Sequence, residues 1–185
     1  GSITVFGAGQ SGDVAPLQTI AGAATGLAYP SGVALDSSGN IYAANLEGGI
    51  QGKGSVTIYS NSANGNAAPS ATITGPATQL GQPSGIAIDS NGQIYVVNNS
   101  CGPSASGCIA IYAPLGSQTG NNQRRQHGTE HPIGVALDSA GNIYVANISS
   151  VTVYPAGRSG NQTPTATIAS GSTGLSLPLG IAIRP

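Results

Sequence analysis

A single phrase recurs along this chain and constrains its fold more than any other feature. It reads Pro30-Ser-Gly-Val-Ala-Leu-Asp36-Ser-Ser-Gly-Asn-Ile-Tyr-Ala-Ala-Asn45, and returns as Pro83-Ser-Gly-Ile-Ala-Ile-Asp89-Ser-Asn-Gly-Gln-Ile-Tyr-Val-Val-Asn98 and Pro132-Ile-Gly-Val-Ala-Leu-Asp138-Ser-Ala-Gly-Asn-Ile-Tyr-Val-Ala-Asn147. A fourth copy stops early, at Pro178-Leu-Gly-Ile-Ala-Ile-Arg184-Pro185. The copies begin roughly 50 residues apart, a period that marks stacked or radially repeated units. Within each copy, Gly-Val-Ala-Leu is short, small and apolar, which suits a crowded strand. Asp-Ser-x-Gly-Asn is a turn, in which the carboxylate accepts backbone N–H groups and the glycine supplies a positive φ. Ile-Tyr-Val-Ala-Asn then returns as a second strand. A third strand is expected at Ile3–Phe6, Val56–Tyr59, Ile109–Tyr112 and Val151–Tyr154, each alternating with period two. A fourth is expected at Leu17–Ile20, Ala71–Ile73 and Ala166–Ile168. No stretch carries the helical period.

Four short antiparallel strands per unit make the blade of a β-propeller. The shared pattern, Pro-x-Gly-(Val/Ile)-Ala-(Leu/Ile)-Asp-x-x-Gly-(Asn/Gln)-Ile-Tyr-Val-Ala-Asn, resembles the NHL repeat, and the resemblance runs over essentially the whole chain. It implies an all-β fold: one propeller domain over residues 1–185, with NHL-like four-stranded blades anchored at Pro30, Pro83, Pro132 and Pro178. About four blades fit in this chain, whereas the family usually builds rings of five or six. Composition agrees with many short strands joined by turns, with 29 Gly and 12 Pro in 185 residues. The 39% hydrophobic content, clustered as β-branched runs, opposes disorder.

The chain starts in the middle of a blade, since Gly1-Ser2-Ile3 is in register with Gly54-Ser55-Val56, and Arg184-Pro185 replaces the Asp-Ser turn where the repeat stops. Two arrangements follow. The preferred one is a compact ring whose last blade combines Ile181–Ile183 with Ile3–Phe6 and Leu17–Ile20, without a second strand. The other is part of a larger ring, completed by further sequence or by another chain. The third unit is irregular: Asn122 to His131 replaces the Pro-x-Ala-Thr-Ile of the others, so its outer strand is expected to be lost or distorted.

That irregular segment also spells His127-Gly-Thr-Glu130-His131, the H-x-x-E-H order of inverted zinc peptidases. The zinc chemistry needs a helix to align both imidazoles, and Gly128 and Pro132 oppose one, so a solvated loop is expected. If a metal binds, His127, Glu130 and His131 are its ligands. Cys101 and Cys108 enclose a short Gly/Ser/Pro loop, across which a disulfide is expected, with two free thiols as the alternative. A disulfide implies an oxidising compartment. Asp36, Asp89 and Asp138 recur once per turn and are expected to cap it. Tyr42, Tyr95 and Tyr144, with Asn45, Asn98 and Asn147, also recur. Packing and backbone bonding are expected of them, and a ligand-binding face for stacked sugars is the sharper alternative.

The function classes narrow accordingly. Net charge is −1 and only 6% of residues are charged, so the several basic contacts that a nucleic acid needs are missing. No apolar run is long enough to span a membrane. No cofactor motif stands out. The leading expectation is a non-catalytic, extracellular, cell-surface or periplasmic binding or scaffold module for protein or carbohydrate. One alternative is a metal-dependent enzyme of the type resembling propeller lyases and lactonases, which the single His-bearing segment serves poorly. Another is a self-assembling subunit, a homo-oligomer through the incomplete closing blade.

Overall fold

The computed structural model describes residues 1–101, 106–115, 123–126, 131–158, 160–169 and 171–183, with the backbone alone for 106 and 123–126. Fourteen strands follow one another among the described residues. The first two are β1 (Ser2–Val5) and β2 (Gln18–Ala21). A first complete unit holds β3 (Pro30–Leu35), β4 (Ile41–Asn45), β5 (Ser55–Tyr59) and β6 (Ala71–Ile73). The next holds β7 (Pro83–Ile88), β8 (Ile94–Cys101), β9 (Ser106–Tyr112) and β10 (Gln123–Gln126). The last holds β11 (Pro132–Leu137), β12 (Ile143–Asn147), β13 (Ser150–Tyr154) and β14 (Ala166–Ala169). Each complete unit is a four-stranded antiparallel sheet in chain order, and β1 and β2 pair by themselves. Among the described residues no helix is long and apolar enough to cross a membrane.

Neighbouring sheets pack face to face. Tyr42, Ala44, Val56 and Ile58 of one blade meet Ile86, Ile94, Val96 and Ala110 of the next. Tyr95, Val97, Ile109 and Ile111 meet Val135, Ile143, Val145 and Tyr154 in the same way. A blade between two others is covered on both faces, which is why β4 and β5 are buried at every residue instead of alternating. Burying each such Ile or Val stabilises the fold by about 1.5–3 kcal/mol.

Near the axis the blades touch through glycine. A Cβ placed on Gly32 would lie 3.1 Å from the Cα of Gly85, one on Gly85 3.1 Å from the Cα of Gly134, and one on Gly134 3.4 Å from the Cα of Gly180. The glycine of Pro-x-Gly therefore lets successive inner strands approach backbone to backbone. Where a serine precedes it, a hydrogen bond joins the blades: Ser31 Oγ donates to the Pro83 carbonyl and Ser84 Oγ to the Pro132 carbonyl, both at 2.7 Å.

Two expectations are corrected. The outer strand of the third unit is present: Gln123–Gln126 pairs antiparallel with Cys108–Ile111, because strand pairing uses the backbone and tolerates Arg124 and Arg125 in place of Thr and Ile. Among the described residues the three-stranded closing blade does not form. Residues 178–183 lie beside β11, around Gly134, but form no strand, and β1 pairs with β2 alone.

Candidate functional site

The repeated Asp is an anchor for its turn. Asp36 Oδ1 accepts the N–H groups of Ser38 and Asn40, both at 2.9 Å, and Oδ2 accepts the Asn40 amide at 2.9 Å and the Tyr42 hydroxyl at 3.2 Å. Asp138 repeats the set with Ala140, Asn142 and Tyr144. Asp89 Oδ1 accepts the backbone N–H groups of Asn91 and Gln93 and Oδ2 the Tyr95 hydroxyl, which also reaches the Gln93 side-chain oxygen. Gly39, Gly92 and Gly141 complete these turns at φ 78–79°, where a side chain is strained. Burial pushes Asp36 upward, but the donors of Asn40, Ser38 and Tyr42 outweigh it and hold the carboxyl below its usual value. The Asn142 amide is the largest influence on Asp138, which is also lowered. Tyr42 is pushed up to about 12 by burial and by the Asp36 charge. These carboxylates are saturated with donors within their own turns.

The repeated Tyr and Asn are also placed inside. Tyr42 and Tyr95 are buried and Tyr144 is half-buried. Asn45, Asn98 and Asn147 are buried, each with its amide N–H on the carbonyl two residues before it. The side-chain oxygens of two of them bond backbone before the inner strands. Asn45 Oδ1 accepts the N–H of Ala28 and Asn98 Oδ1 that of Gly81, each at 3.1 Å. These amides fix the chain just before each inner strand.

What they position is a row of side chains. The residues directly before the repeat prolines are Tyr29, Gln82, His131 and Leu177, and all four are exposed. Tyr29, Gln82 and Leu177 sit in the left-handed region, at φ 52°, 56° and 49°. The geometry is fixed by backbone bonds. Leu46 N–H donates to Tyr29 O and Asn99 N–H to Gln82 O, while Gln82 N–H reaches Lys53 O and Leu177 N–H reaches Ile148 O on the preceding blade. The strand-three tyrosines clamp the same connections from below: the hydroxyls of Tyr59 and Tyr112 donate to the carbonyls of Thr25 and Thr78. Burial raises the pKa of both phenols.

The row lies at one end of adjacent inner strands, opposite the Asp turns. The loop after the second strand of each blade returns to this same end. It carries Glu47 and Lys53 in one blade and begins at Cys101 in the next. A disulfide joins Cys101 and Cys108, both buried, with Cα atoms 6.0 Å apart. A cleft of about 750 Å³ opens here, lined by Leu27, Tyr29, Ser31, Leu46, Glu47 and Gly48 among others. Tyr29, 68% exposed, stands over it. A smaller cleft of about 290 Å³ is lined by Lys53, Gln79, Leu80 and Ser100, and Gln79 Oε1 is buried there without a partner. Among the described residues no three His, Cys, Asp or Glu side chains converge. Of the metal ligands expected from the sequence, His131 stands exposed before β11, while His127 and Glu130 lie outside the described residues. Tyr29, Gln82 and Leu177 were missed in the sequence. The signal was present: the position before each proline varies while the phrase around it barely does.

Three face-packed four-stranded sheets with their inner strands side by side are β-propeller blades. Comparison with known proteins agrees. Residues 80–112 match the NHL repeat, so the chain carries a copy of that repeat there. Among solved structures, a protein from Lactobacillus plantarum, determined in a structural genomics programme, is similar in fold at 17% identity and a TM-score of 0.53. The match covers 76% of this chain and 42% of that one, so this chain spans less than half of that structure's length. No curated protein matches the chain.

Proposed function

We propose that this protein is a non-catalytic propeller module, working outside the cytoplasm, that binds a neutral carbohydrate at the cleft beneath Tyr29. One observation carries the reading. A bulky side chain is held, exposed, at a left-handed position where glycine would cost less. Left-handed backbone costs an L-residue on the order of 1–2 kcal/mol. The blade keeps the same geometry with Tyr29, Gln82 and Leu177, so the side chain is free to vary and the turn alone does not ask for it. An exposed aromatic ring over a cleft of this size suits a sugar face, with Glu47 and Ser31 beside it for hydroxyls. With only 6% charged residues, recognition rests on stacking and neutral hydrogen bonds. The buried disulfide supports an oxidising compartment.

The test is an array of neutral oligosaccharides, followed by calorimetry on any that bind, with Tyr29→Ala and Tyr29→Gly beside the wild type. Loss of one stacking ring is worth on the order of 1–1.5 kcal/mol, or about tenfold in affinity. Stability of Tyr29→Gly should be unchanged, or raised by up to about 1 kcal/mol, through relief of the left-handed strain. Binding that survives both substitutions, or that appears for peptides alone, overturns the carbohydrate reading.

A further inference from the structure

We infer that the cleft between Lys53 and Gln79 is a second binding site, and that it takes a uronic acid, a sugar ring whose carboxylate pairs with Lys53 and whose hydroxyl donates to Gln79 Oε1. One position of the repeat leads to it. Four residues before each repeat proline stand Gly26, Gln79, Gly128 and Gly174. Gly26 and Gly174 lie in the left-handed region, at φ 70° and 67°. Gln79 holds the same backbone at φ 59°, where an L-residue is strained and glycine is not. Its side chain adds a second penalty. The amide oxygen Oε1 is buried without a hydrogen bond, and among the described residues it is the one buried side-chain N or O left so. The glycine of the other copies avoids both penalties. The Gln79 side chain therefore answers to something that docks in the cleft.

The surroundings define the occupant. The cleft lies between two complete blades and holds about 290 Å³, room for one small ring. An acceptor without a partner asks for an O–H or N–H donor and repels an anion. Lys53, the chain's single lysine, lines the same cleft, is exposed and forms no ion pair among the described residues. Its ammonium asks for an anion. A small molecule with a carboxylate beside hydroxyls meets both demands. A phosphate would need further cations, and donors in place of the Gln79 oxygen. Gln51 and Ser100 add neutral polar groups, and Pro76 and Leu80 an apolar wall for the C–H face of a ring. Backbone bonds hold these loops in place: Gln82 N–H donates to Lys53 O at 3.1 Å, and Ser100 N–H to Gly81 O at 3.0 Å. The site shares no lining residue with the cleft beneath Tyr29, so it does not depend on the reading of that cleft.

The experiment is an amide NMR titration of the wild type, Gln79→Gly and Lys53→Gln with galacturonate and glucuronate. Galactose and glucose are the neutral controls, and a short acidic peptide is the rival ligand. In the wild type at least one of the two acids, at concentrations on the order of 10 mM, should give saturable shifts at residues 51–53, 79–81 and 100. The neutral sugars should bind about tenfold more weakly. Lys53→Gln should bring the acid down to the level of the neutral sugars. Gln79→Gly should weaken acid and neutral sugar alike, by about tenfold, because the hydroxyl loses its acceptor. Its urea midpoint without ligand should rise, since both penalties of Gln79 are gone, and that rise separates lost binding from misfolding. No saturable shift with either acid, equal affinity for acids and neutral sugars, undiminished binding by Gln79→Gly, a Gln79→Gly midpoint that falls, or tighter binding of the acidic peptide overturns the proposal.

Discussion

Replacing Gly85 by alanine puts a methyl group 2.9 Å from the Ile133 carbonyl oxygen, 3.0 Å from a Val97 methyl and 3.1 Å from the Gly134 Cα. Two of the three neighbours are backbone of the adjacent blade, which cannot move aside without parting the inner strands. Gly85 is not in the left-handed region, so the penalty is steric alone. Overpacking of this kind costs about 1–3 kcal/mol. Losing a glycine also stiffens the unfolded chain, which returns about 0.4–1 kcal/mol. The net expectation is a loss of about 1–2 kcal/mol, and with a urea slope of about 2 kcal/mol per molar the midpoint falls by about 0.5–1 M. The same substitution elsewhere in the series calibrates the number. At Gly32 the nearest neighbours are at 3.1 and 3.3 Å, at Gly134 they are at ordinary contact distance, and at Gly180 there are none. Destabilisation should therefore fall in the order Gly85, Gly32, Gly134, Gly180. In dilute protein the last should be neutral, or stabilised by about 0.5 kcal/mol. Equal midpoints for Gly85→Ala and Gly180→Ala would refute the view that the blades meet backbone to backbone at these glycines.

Reduction of Cys101–Cys108 should lower stability by about 2 kcal/mol, the value for a short closed loop, measured as the urea midpoint with and without a thiol reductant. Asp36→Ala removes the acceptor of four donors in an accessible turn and should cost about 1 kcal/mol, with Asp36→Asn recovering little, since it cannot accept on both sides. Stability should decline at both extremes of pH. Asp36 and Asp138 are held below the usual carboxylate value, so their contribution is present above about pH 4 and disappears as pH falls through their folded pKa values. Tyr42 titrates near 12 when folded and near 10 when unfolded, so its contribution is present below pH 10 and is lost as pH rises toward 12. Denaturant midpoints across pH check this, and Tyr42→Phe should flatten part of the alkaline limb.

Strand periodicity and turn chemistry made the blades legible because both act locally. Alternation in Val151–Tyr154 and the Asp-x-x-Gly turn depend on residues a few positions apart, and the repeat supplies three independent readings of each. Strand β10 was not expected because Asn122 to His131 departs from the Pro-x-Ala-Thr-Ile of the other units, while the neighbouring β9 offers its backbone regardless of side chain. The site was legible only in part. Cys101 and Cys108 announced their bond through spacing. Backbone bonding was expected of Asn45 and Asn98, but which backbone they bond, the N–H groups of Ala28 and Gly81 before β3 and β7, came only from the fold.

The sequence by itself determined the blade: its four strands, its Asp-anchored turn, its repeat length and its lack of charge, all fixed by short-range stereochemistry and hydrophobic pattern. Tertiary structure alone decided which surfaces those blades leave over. Tyr29, Gln82, His131 and Leu177 stand far apart in the chain and fall on one face only because inner strands stack side by side. Ile86 and Val135 are buried because the sheet of the preceding blade packs over them. Burial at those positions depends on the neighbouring blade, and a residue's own sequence context carries no record of whether that neighbour is there.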